Sequence, residues 1–423
     1  MALSEAQLKQ IEGKLFLFKA PPPALPIPAN IDTHFKTRMT PVASKRRFEN
    51  ISFGVVDFTA DRMNPKVFLH KADIPWRMGS TGKIAVLLAA AQLRDDVRNV
   101  KKMLDDASLV LSSAEFDDLF STIWSRHKEK AVQRIAEKDA SPRMSIIFDL
   151  SQPEPDWRGA GDIIDKSLDR LDYALEWDKE TEKDSWKKLA TIDFQDRLWL
   201  MGAQSDNASA QSCISEIGLA YMKEVQRAYG LLDPKNGMHM LLGGGYFQEP
   251  KTPVSTYRYL RGRDYEKNWV TDRYFDSNDP QRSTQSGSVA ALTAYMIALI
   301  QDKLVNAAGC VEIKLFLADG RRLTDGRDPT LPGSLFQGVQ KTPGVTITQF
   351  SFGKGGALEQ APKQAERPLR CDVAYIETTG SAARKFAIVA QGLVPFKDRT
   401  SSFNQDEQGR DLAKAIHAAL IAP

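Results

Sequence analysis

One serine and lysine pair in the sequence has a spacing and a setting that suit nucleophilic chemistry. Ser80 and Lys83 lie in the segment GSTGK, residues 79–83, directly before the apolar run 84–93. Residues three apart share one face of a helix, so the amine can reach the hydroxyl. A serine becomes a good nucleophile when a base removes its proton, and burial or nearby positive charge lets a lysine serve as that base. The pattern predicts acyl transfer at Ser80, with the positive end of the helix beside the developing oxyanion.

The same four-residue spacing occurs elsewhere, so the setting of Ser80 decides. Three further Ser-x-x-Lys segments are residues 125–128, 185–188 and 351–354. The first two lie in strongly charged stretches typical of solvated helix faces, whereas Ser80 follows a predicted strand and opens an apolar helix.

A phosphate-binding loop also ends in Gly-Lys, and GSTGK resembles that ending. The loop requires a glycine five residues before Gly82 and a serine or threonine after Lys83. Arg77 and Ile84 occupy those positions, which excludes the phosphate loop.

Two later motifs bear on the same chemistry. Ser205-Asp206-Asn207 is the only such tripeptide in the chain, and alone it is typical of a turn or helix cap. Lys354-Gly355-Gly356 stands at the end of a predicted strand, where alone it indicates a glycine turn. Because both motifs follow the Ser80 motif in a fixed order, we interpret the three as parts of one site and not as separate turns or caps.

In this order the motifs resemble the S-x-x-K, S-D-N and K-T-G signature of the serine β-lactamase and penicillin-binding protein superfamily. The chain is most similar to class A β-lactamase-like serine hydrolases, and the resemblance covers residues 46–423. Residues 278–284 are similar to the stretch that ends the Ω-loop of class A enzymes, with the next helix expected at 289–301.

The resemblance implies roles in the acyl chemistry. Ser80 would be the nucleophile and Lys83 its proton acceptor. Ser205 would relay protons between Lys83 and the leaving group. Lys354 would attract a substrate carboxylate and help to lower the pKa of Lys83.

The resemblance also implies how a substrate is held. The backbone N–H groups of Ser80 and Ala357 would form the oxyanion hole. Asn207 would hold a substrate amide, and Gly355 and Gly356 would line the substrate site.

Two departures from the family pattern bear on the substrate. Gly355 stands where the family has a hydroxyl-bearing residue, which removes one hydrogen bond to a substrate carboxylate. No Glu-x-x-Leu-Asn pattern precedes Asn278, so the glutamate that activates the deacylating water is missing. Glu266 and Asp272 are the nearest carboxylates, and a surface charge is the favoured interpretation of each. Glu266 is the candidate if one of them is the deacylation base.

Three functions follow from these residues. The leading hypothesis is a serine hydrolase or acyltransferase that forms an acyl-enzyme on Ser80 from an amide or ester of a small molecule or peptide. The first alternative is a class A-like β-lactamase with an atypical deacylation base. The second is a non-catalytic ligand-binding protein of the same fold, which would not need both Ser80 and Lys83.

Around these motifs the apolar patterns predict an α+β fold. A strand pair is expected at 51–57 and 66–70, then a helix from Ser80. Residues 94–200 indicate charged amphipathic helices, and three strands follow at 345–352, 372–377 and 386–393 before a closing helix. The prediction is a β-lactamase/DD-peptidase-like antiparallel sheet of about five strands, flanked by N- and C-terminal helices, plus a largely helical subdomain.

The same patterns predict three parts of the chain. Residues 1–45 form a proline-rich N-terminal extension. Residues 46–79 and 341–423 form the sheet-containing subdomain. Residues 80–340 form a mainly helical subdomain, with a charged helical insertion at 94–195.

Composition narrows the partners. The chain has 57 Lys and Arg against 54 Asp and Glu, with both signs mixed, so nucleic acid is not an expected partner. Three scattered cysteines and five separated histidines give no metal-ligand spacing, and we expect neither a metal nor a cofactor. No membrane span or signal sequence is expected, which predicts a cytoplasmic protein, or a periplasmic or secreted one if a leader has been removed. The sequence leaves the oligomeric state open.

Overall fold

A computed structural model of the chain describes twelve stretches, residues 3–16, 32–49, 51–130, 141–151, 156–158, 194–233, 236–242, 285–323, 333–357, 370–380, 382–393 and 407–422. The chain divides into two compact units. The helical unit comprises Met1–Pro23, Ala85–Gly230 and Leu242–Thr284, and the sheet unit comprises Ala24–Ile84, Leu231–Leu241 and Gln285–Pro423.

The described residues form twelve α-helices. They are α1 Glu5–Glu12, α2 Thr33–Ala43, α3 Lys83–Asp106, α4 Ser113–Lys130, α5 Met144–Ile147, α6 Phe194–Ala203, α7 Asn207–Ile217, α8 Leu219–Ala228, α9 Val289–Ile300, α10 Ala307–Leu323, α11 Gly333–Gln340 and α12 Glu407–Ile421. Across the same stretches, none of these helices is both long enough and apolar enough to cross a bilayer.

The strands of the described residues are mostly short. They are β1 Ser52–Asp57, β2 Lys66–His70, β3 Pro75–Arg77, β4 Phe148–Asp149, β5 Asp156–Trp157, β6 Leu232–Asp233, β7 Met238–Leu242, β8 Gln285–Ser288, β9 Thr346–Ile347, β10 Phe352–Ala357, β11 Arg370–Thr379 and β12 Lys385–Leu393.

The main sheet joins strands from both ends of the chain. Its order is β10-β11-β12-β1-β2, with β9 pairing the far end of β11, and every pair is antiparallel. Val55 of β1 lies opposite Ile388 of β12 on one side and Phe68 of β2 on the other. The structure therefore confirms the predicted strand pair and the α+β class with its antiparallel sheet between terminal helices.

One face of the sheet carries the main apolar core. The helices α2, α11 and α12 cover this face with side chains such as Phe35, Leu335 and Ile416, all fully buried. Burying a side chain of this size stabilises a fold by roughly 1.5–3 kcal/mol. The predicted closing helix is confirmed as α12. It packs so closely on α11 that a Cβ on Gly338 would lie 2.3 Å from the carbonyl oxygen of Arg410.

The opposite face of the sheet is covered by α9. All twelve residues of α9 are buried, as expected for a helix that is apolar all round. The Ser288 side chain caps its first turn, and a Cβ on Gly54 of β1 would lie 2.5 Å from the Thr293 hydroxyl. The predicted helix at 289–301 is confirmed, with Gln301 as its C-terminal cap.

The predicted strand at 345–352 is wrong as a single element. Only Thr346–Ile347 pair as β9, and the chain turns before β10 begins at Phe352. The turn is held by Glu377 of β11, whose carbonyl accepts from Thr348 N at 2.8 Å and whose N–H donates to Ser351 Oγ at 2.9 Å. Hydrogen bonds to the turn therefore take the place of continuous strand pairing. The alternation of side chains in the sequence does not distinguish the two arrangements.

The two compact units follow other boundaries than the sequence-based parts at 1–45, 46–79 with 341–423, and 80–340. Residues 285–340 group with the sheet because α9, α10 and α11 pack on it. Within 1–45, α2 contributes Phe35 to the sheet core. The proline run 21–28 and residues 131–140, 152–155 and 159–193 of the charged insertion lie outside the described residues.

The helical unit is organised by buried polar contacts. The Asp96 carboxylate of α3 accepts from Phe16 N at 2.9 Å and from the Tyr221 hydroxyl at 3.3 Å. Arg126 of α4 pairs with Glu5 at 2.8 Å and also with Glu12, both on α1. These contacts fix the N-terminal helix within its unit.

Candidate active site

The Ser80 segment is a tight turn between a strand and a helix. After β3 and Met78, residues 79–82 form a 3-10 turn, and α3 begins at Lys83 rather than at Ser80 as expected. Gly79 has φ +52, a left-handed conformation that glycine adopts without strain. Thr81 N donates to Met78 O at 3.1 Å, which closes the turn. Ser80 is left partly exposed at the start of the helix.

Ser80 and Lys83 are in direct contact. The Lys83 amine donates to Ser80 Oγ at 3.2 Å, as the spacing of three residues predicts. Lys83 is 0% exposed, whereas Ser80 is partly open to solvent. The pair therefore has the geometry of a base beside its nucleophile, with the base shielded from water.

Strand β10 lies against the Ser80 turn with no room for a side chain. A Cβ on Gly356 would lie 2.1 Å from Met78 O, 2.6 Å from Thr81 N and 2.9 Å from Ser80 N. The Thr81 hydroxyl joins the turn to β11, because it donates to Cys371 O at 2.6 Å. The backbone of β10 thus abuts the N–H of Ser80, and Ala357 follows Gly356 as the last residue of the strand.

Lys354 lies inside β10, not at a strand end as expected. It pairs with Val373 of β11, and Gly355 and Gly356 continue the ladder opposite Asp372 and Cys371. The glycines therefore do not form a turn. Lys354 is 1% exposed, so this unit buries two lysines, one in the turn and helix segment and one in the strand beside it.

Asp372 is a site residue that the motifs did not indicate. Its carboxylate is fully buried opposite Gly355 and accepts from Arg370 Nε at 2.9 Å, from the Ser334 hydroxyl at 3.1 Å and from the N–H of Gly356. Burial raises the pKa of the Asp372 carboxyl, while the charge of Arg370 acts in the opposite direction. The sequence signal was the spacing of Arg370 and Asp372, two apart on one face of a strand.

A second small sheet, in the order β3-β8-β7-β6, leads into the turn. A Cβ on Gly287 of β8 would lie 2.6 Å from the Met78 sulfur. Behind it, His239 of β7 is fully buried and its Nε2 lies 2.6 Å from Ser286 Oγ. Burial lowers the pKa of His239 to about 3, so this histidine is neutral near pH 7.

Ser205 and Asn207 belong to the helical unit. Asp206 is the N-cap of α7 and accepts from Ser209 N, as the helix-cap interpretation predicts. Ser205 has φ +61, an unusual conformation for a residue with a side chain, and Asn207 is the exposed first residue of α7.

The remaining sequence features do not all lie among the residues that the structure describes, and those that do differ from Ser80 in their surroundings. Ser125 is exposed on α4, and Ser351 bonds to the backbone of Glu377, so neither matches the setting of Ser80. Glu266, residues 185–188 and residues 278–284 lie outside the described residues. Among the residues that are described, no group of three or more His, Cys, Asp and Glu side chains is placed to hold a metal ion.

Comparisons with known proteins give structural matches alone. No protein-family profile matches the chain, and no curated protein matches it in sequence. A β-lactamase from Sphaerobacter thermophilus matches 92% of this chain and 95% of its own, at 13% identity and a TM-score of 0.41. A β-lactamase from Chitinophaga pinensis matches 92% of this chain and 98% of its own, at 10% identity and a TM-score of 0.43. The TLA-1 extended-spectrum β-lactamase matches 93% of this chain and 99% of its own, at 13% identity and a TM-score of 0.44.

The close approach at Gly356 generates a first prediction. Gly356→Ala forces β10 away from the Ser80 turn, and we expect unfolding free energy to fall by about 1–3 kcal/mol. Misplacement of a reacting group by about 1 Å can lower a rate roughly 100-fold. The reaction of Ser80 with a fluorophosphonate should therefore be about 100-fold slower in the folded variant. Urea unfolding and time-resolved mass spectrometry measure the two effects.

Gly309→Ala in α10 is the matched control, because its Cβ would meet neighbours only at 3.4 Å or more. That variant should be stable and fully reactive. Equal reactivity of Gly356→Ala and wild type would show that the contact does not position Ser80.

His239 generates a prediction about pH. Its pKa is about 3 in the folded chain against an ordinary value of 6.5, so the unfolded chain binds more protons between these values. Stability contributed by neutral His239 is present above pH 6.5 and is lost as pH falls. Between pH 6.5 and 5.5 the unfolding constant should rise about fivefold more in wild type than in His239→Gln. Parallel pH profiles of the two proteins in denaturant would contradict this prediction.

Proposed function

We propose that this chain is a serine hydrolase or acyltransferase that forms an acyl-enzyme on Ser80 from an amide or ester. The observation that carries the proposal is the 3.2 Å contact between Ser80 Oγ and the amine of a lysine that is 0% exposed. Burial disfavours the charged form of a lysine, and a neutral amine is the form that can take a proton from Ser80.

The reaction runs in two balanced steps. As Ser80 Oγ attacks the carbonyl carbon, its proton passes to the neutral Lys83 amine and a tetrahedral oxyanion forms. In this proposal the N–H groups of Ser80 and Ala357 donate to that oxyanion and stabilise its charge. Collapse breaks the bond to the leaving nitrogen or oxygen, which takes up the proton. Water or an amine then attacks the ester carbonyl and gives up a proton. The ester bond to Ser80 breaks, the acceptor keeps the acyl group, and the proton returns to Ser80 Oγ.

Substrate selection follows from β10. The motif resemblance gives Lys354, two residues before Gly356 on β10, the role of attracting a substrate carboxylate beside the scissile bond. Gly355 offers no hydroxyl to that carboxylate, which disfavours substrates that depend on such a bond. We therefore propose an amide or ester of a small molecule or peptide rather than a β-lactam drug.

Intact mass after exposure to a fluorophosphonate, and separately to benzylpenicillin, tests the nucleophile. We expect a fluorophosphonate adduct on wild type and none on Ser80→Ala. Lys83→Met should slow the reaction by roughly 10²–10⁴-fold, the usual contribution of a general base. Ser125→Ala, which alters an exposed serine with the same spacing to a lysine, is the matched control and should react like wild type.

The two reagents separate the candidate activities. A lasting penicillin adduct would mean acylation without efficient deacylation, and rapid penicillin turnover would favour the β-lactamase alternative. An adduct with fluorophosphonate alone supports an amidase or esterase. A wild-type protein that reacts with neither reagent would contradict the proposal and favour the binding-protein alternative.

The motif resemblance extends the proposal to Ser205 as a proton-transfer residue and Asn207 as a substrate-binding residue. Ser205→Ala should lower the acylation rate with an amide, whose nitrogen must be protonated to leave, more than with a fluorophosphonate. Asn207→Ala should raise KM for an amide substrate.

Asp206→Ala is the matched control for this pair. It removes the cap of α7 and should lower stability by about 0.5–2 kcal/mol without a change in acylation of the folded protein. An unchanged amide acylation rate in Ser205→Ala would refute its proton-transfer role.

A further inference from the structure

The sheet unit contains a groove of about 570 Å³ at the other end of β10 from Ser80. It is bounded by the chain after β1, the end of α9, the first turns of α10 and the turn before β10. Phe58, Phe352 and Tyr375 of the sheet region are among its lining residues. Its volume falls within the roughly 300–1,000 Å³ typical of sites for small molecules.

The groove collects apolar side chains that face solvent. Phe350 is 62% exposed, Val311 51% and Leu315 47%, and all three line the groove. They are half of the six large apolar side chains exposed among the described residues. Val311 and Leu315 are four apart on α10, so they form one stripe along its surface. Clustering of this kind marks a binding surface, whereas single exposed apolar residues do not.

The charged side chains at the groove are not balanced. Among the described residues, the groove is lined by Arg62, Lys314 and Lys385 and by two carboxylates, Asp302 and Glu377. Asp302 serves two of these cations: Lys314 Nζ lies 2.5 Å from one of its oxygens, and Arg62 pairs with the other. The pair of Lys385 and Glu377, at 3.2 Å, is balanced by itself. One positive charge in excess therefore remains at Arg62 and Lys314.

This imbalance sits beside a strained backbone. Asp302 has φ +58, a left-handed conformation that is unfavourable for a residue with a side chain. The side-chain amide of Gln301 holds the segment that carries Arg62, because it donates to Arg62 O at 3.1 Å and to Met63 O at 3.0 Å. The cation pair is thus held in a fixed place next to the apolar stripe.

We propose that the groove binds a small amphipathic carboxylate, with its aliphatic or aromatic body on Val311, Leu315 and Phe350 and its anionic head at Arg62 and Lys314. The combination of an apolar wall and a single surplus cation selects this class over neutral or cationic molecules. The site is separate from Ser80 and does not rest on the function proposed for that serine.

Calorimetric titration with dodecanoate, below its micelle concentration, tests the proposal. We expect saturable binding of one molecule, and binding weaker by about tenfold or more, or about 1.4 kcal/mol, for dodecyltrimethylammonium and dodecanol. Equal affinity for the anionic and the cationic chain would overturn the proposal, as would absence of dodecanoate binding.

Matched variants locate the binding site. Leu315→Glu and Lys314→Met should each weaken dodecanoate binding by about tenfold or more, whereas Lys314→Arg should retain it. Val110→Glu alters another exposed apolar residue, 92% exposed and in the helical unit, and should bind like wild type. Ser80→Ala should also bind normally, which separates this site from the proposed active site. Unfolding midpoints confirm that each variant is folded, and normal binding by a folded Leu315→Glu would place the ligand elsewhere.

Discussion

The contact that organises the candidate site is one between two backbones. Strand β10 reaches the Ser80 turn at Gly356, where a single added carbon would collide with Met78 O, Thr81 N and Ser80 N. Because the approach involves no side chains, its geometry is set by the sheet ladder on one side and by the turn on the other. The Thr81 hydroxyl ties the two together through Cys371 O. The position of Ser80 is therefore an indirect consequence of the register between β10 and β11.

Burial of a charged side chain near this contact is energetically unfavourable, and hydrogen-bond and ion-pair partners reduce that cost. Moving an ion from water into a protein interior is unfavourable unless partners replace its hydration. Asp372 meets that condition with Arg370, Ser334 and the N–H of Gly356, so a buried carboxylate also fastens β10. Lys83 is also 0% exposed, and its amine lies 3.2 Å from Ser80 Oγ. The buried carboxylate thus holds the strand, and the buried lysine lies against the turn that the strand meets.

Sequence patterns predicted the elements better than the contacts between them. Alternation and helical spacing located the strand pair at the start and the closing helix, because each element repeats its own local pattern, whereas α9 was predicted from the family resemblance. They failed at 345–352, where bonds from Glu377 to Thr348 and Ser351 turn the chain. They also missed Asp372, whose importance depends on its place opposite Gly355 in another strand. Spacing placed Lys83 within reach of Ser80, whereas the burial of Lys83 depends on how β10 packs against the turn.

Strand β10 also bears on how the two proposed sites relate. Phe352 lines the groove and Gly356 abuts the Ser80 turn, four residues or about 13 Å apart along one strand. The strand is paired with β11 over its whole length, and α10, which carries Val311 and Leu315, packs along it. A ligand in the groove would therefore contact Phe352, which belongs to the same strand as Gly356. Because a slip of one residue would move every side chain of β10 to the other face of the sheet, the place of Phe352 in the groove and the place of Gly356 against the turn are fixed by one register.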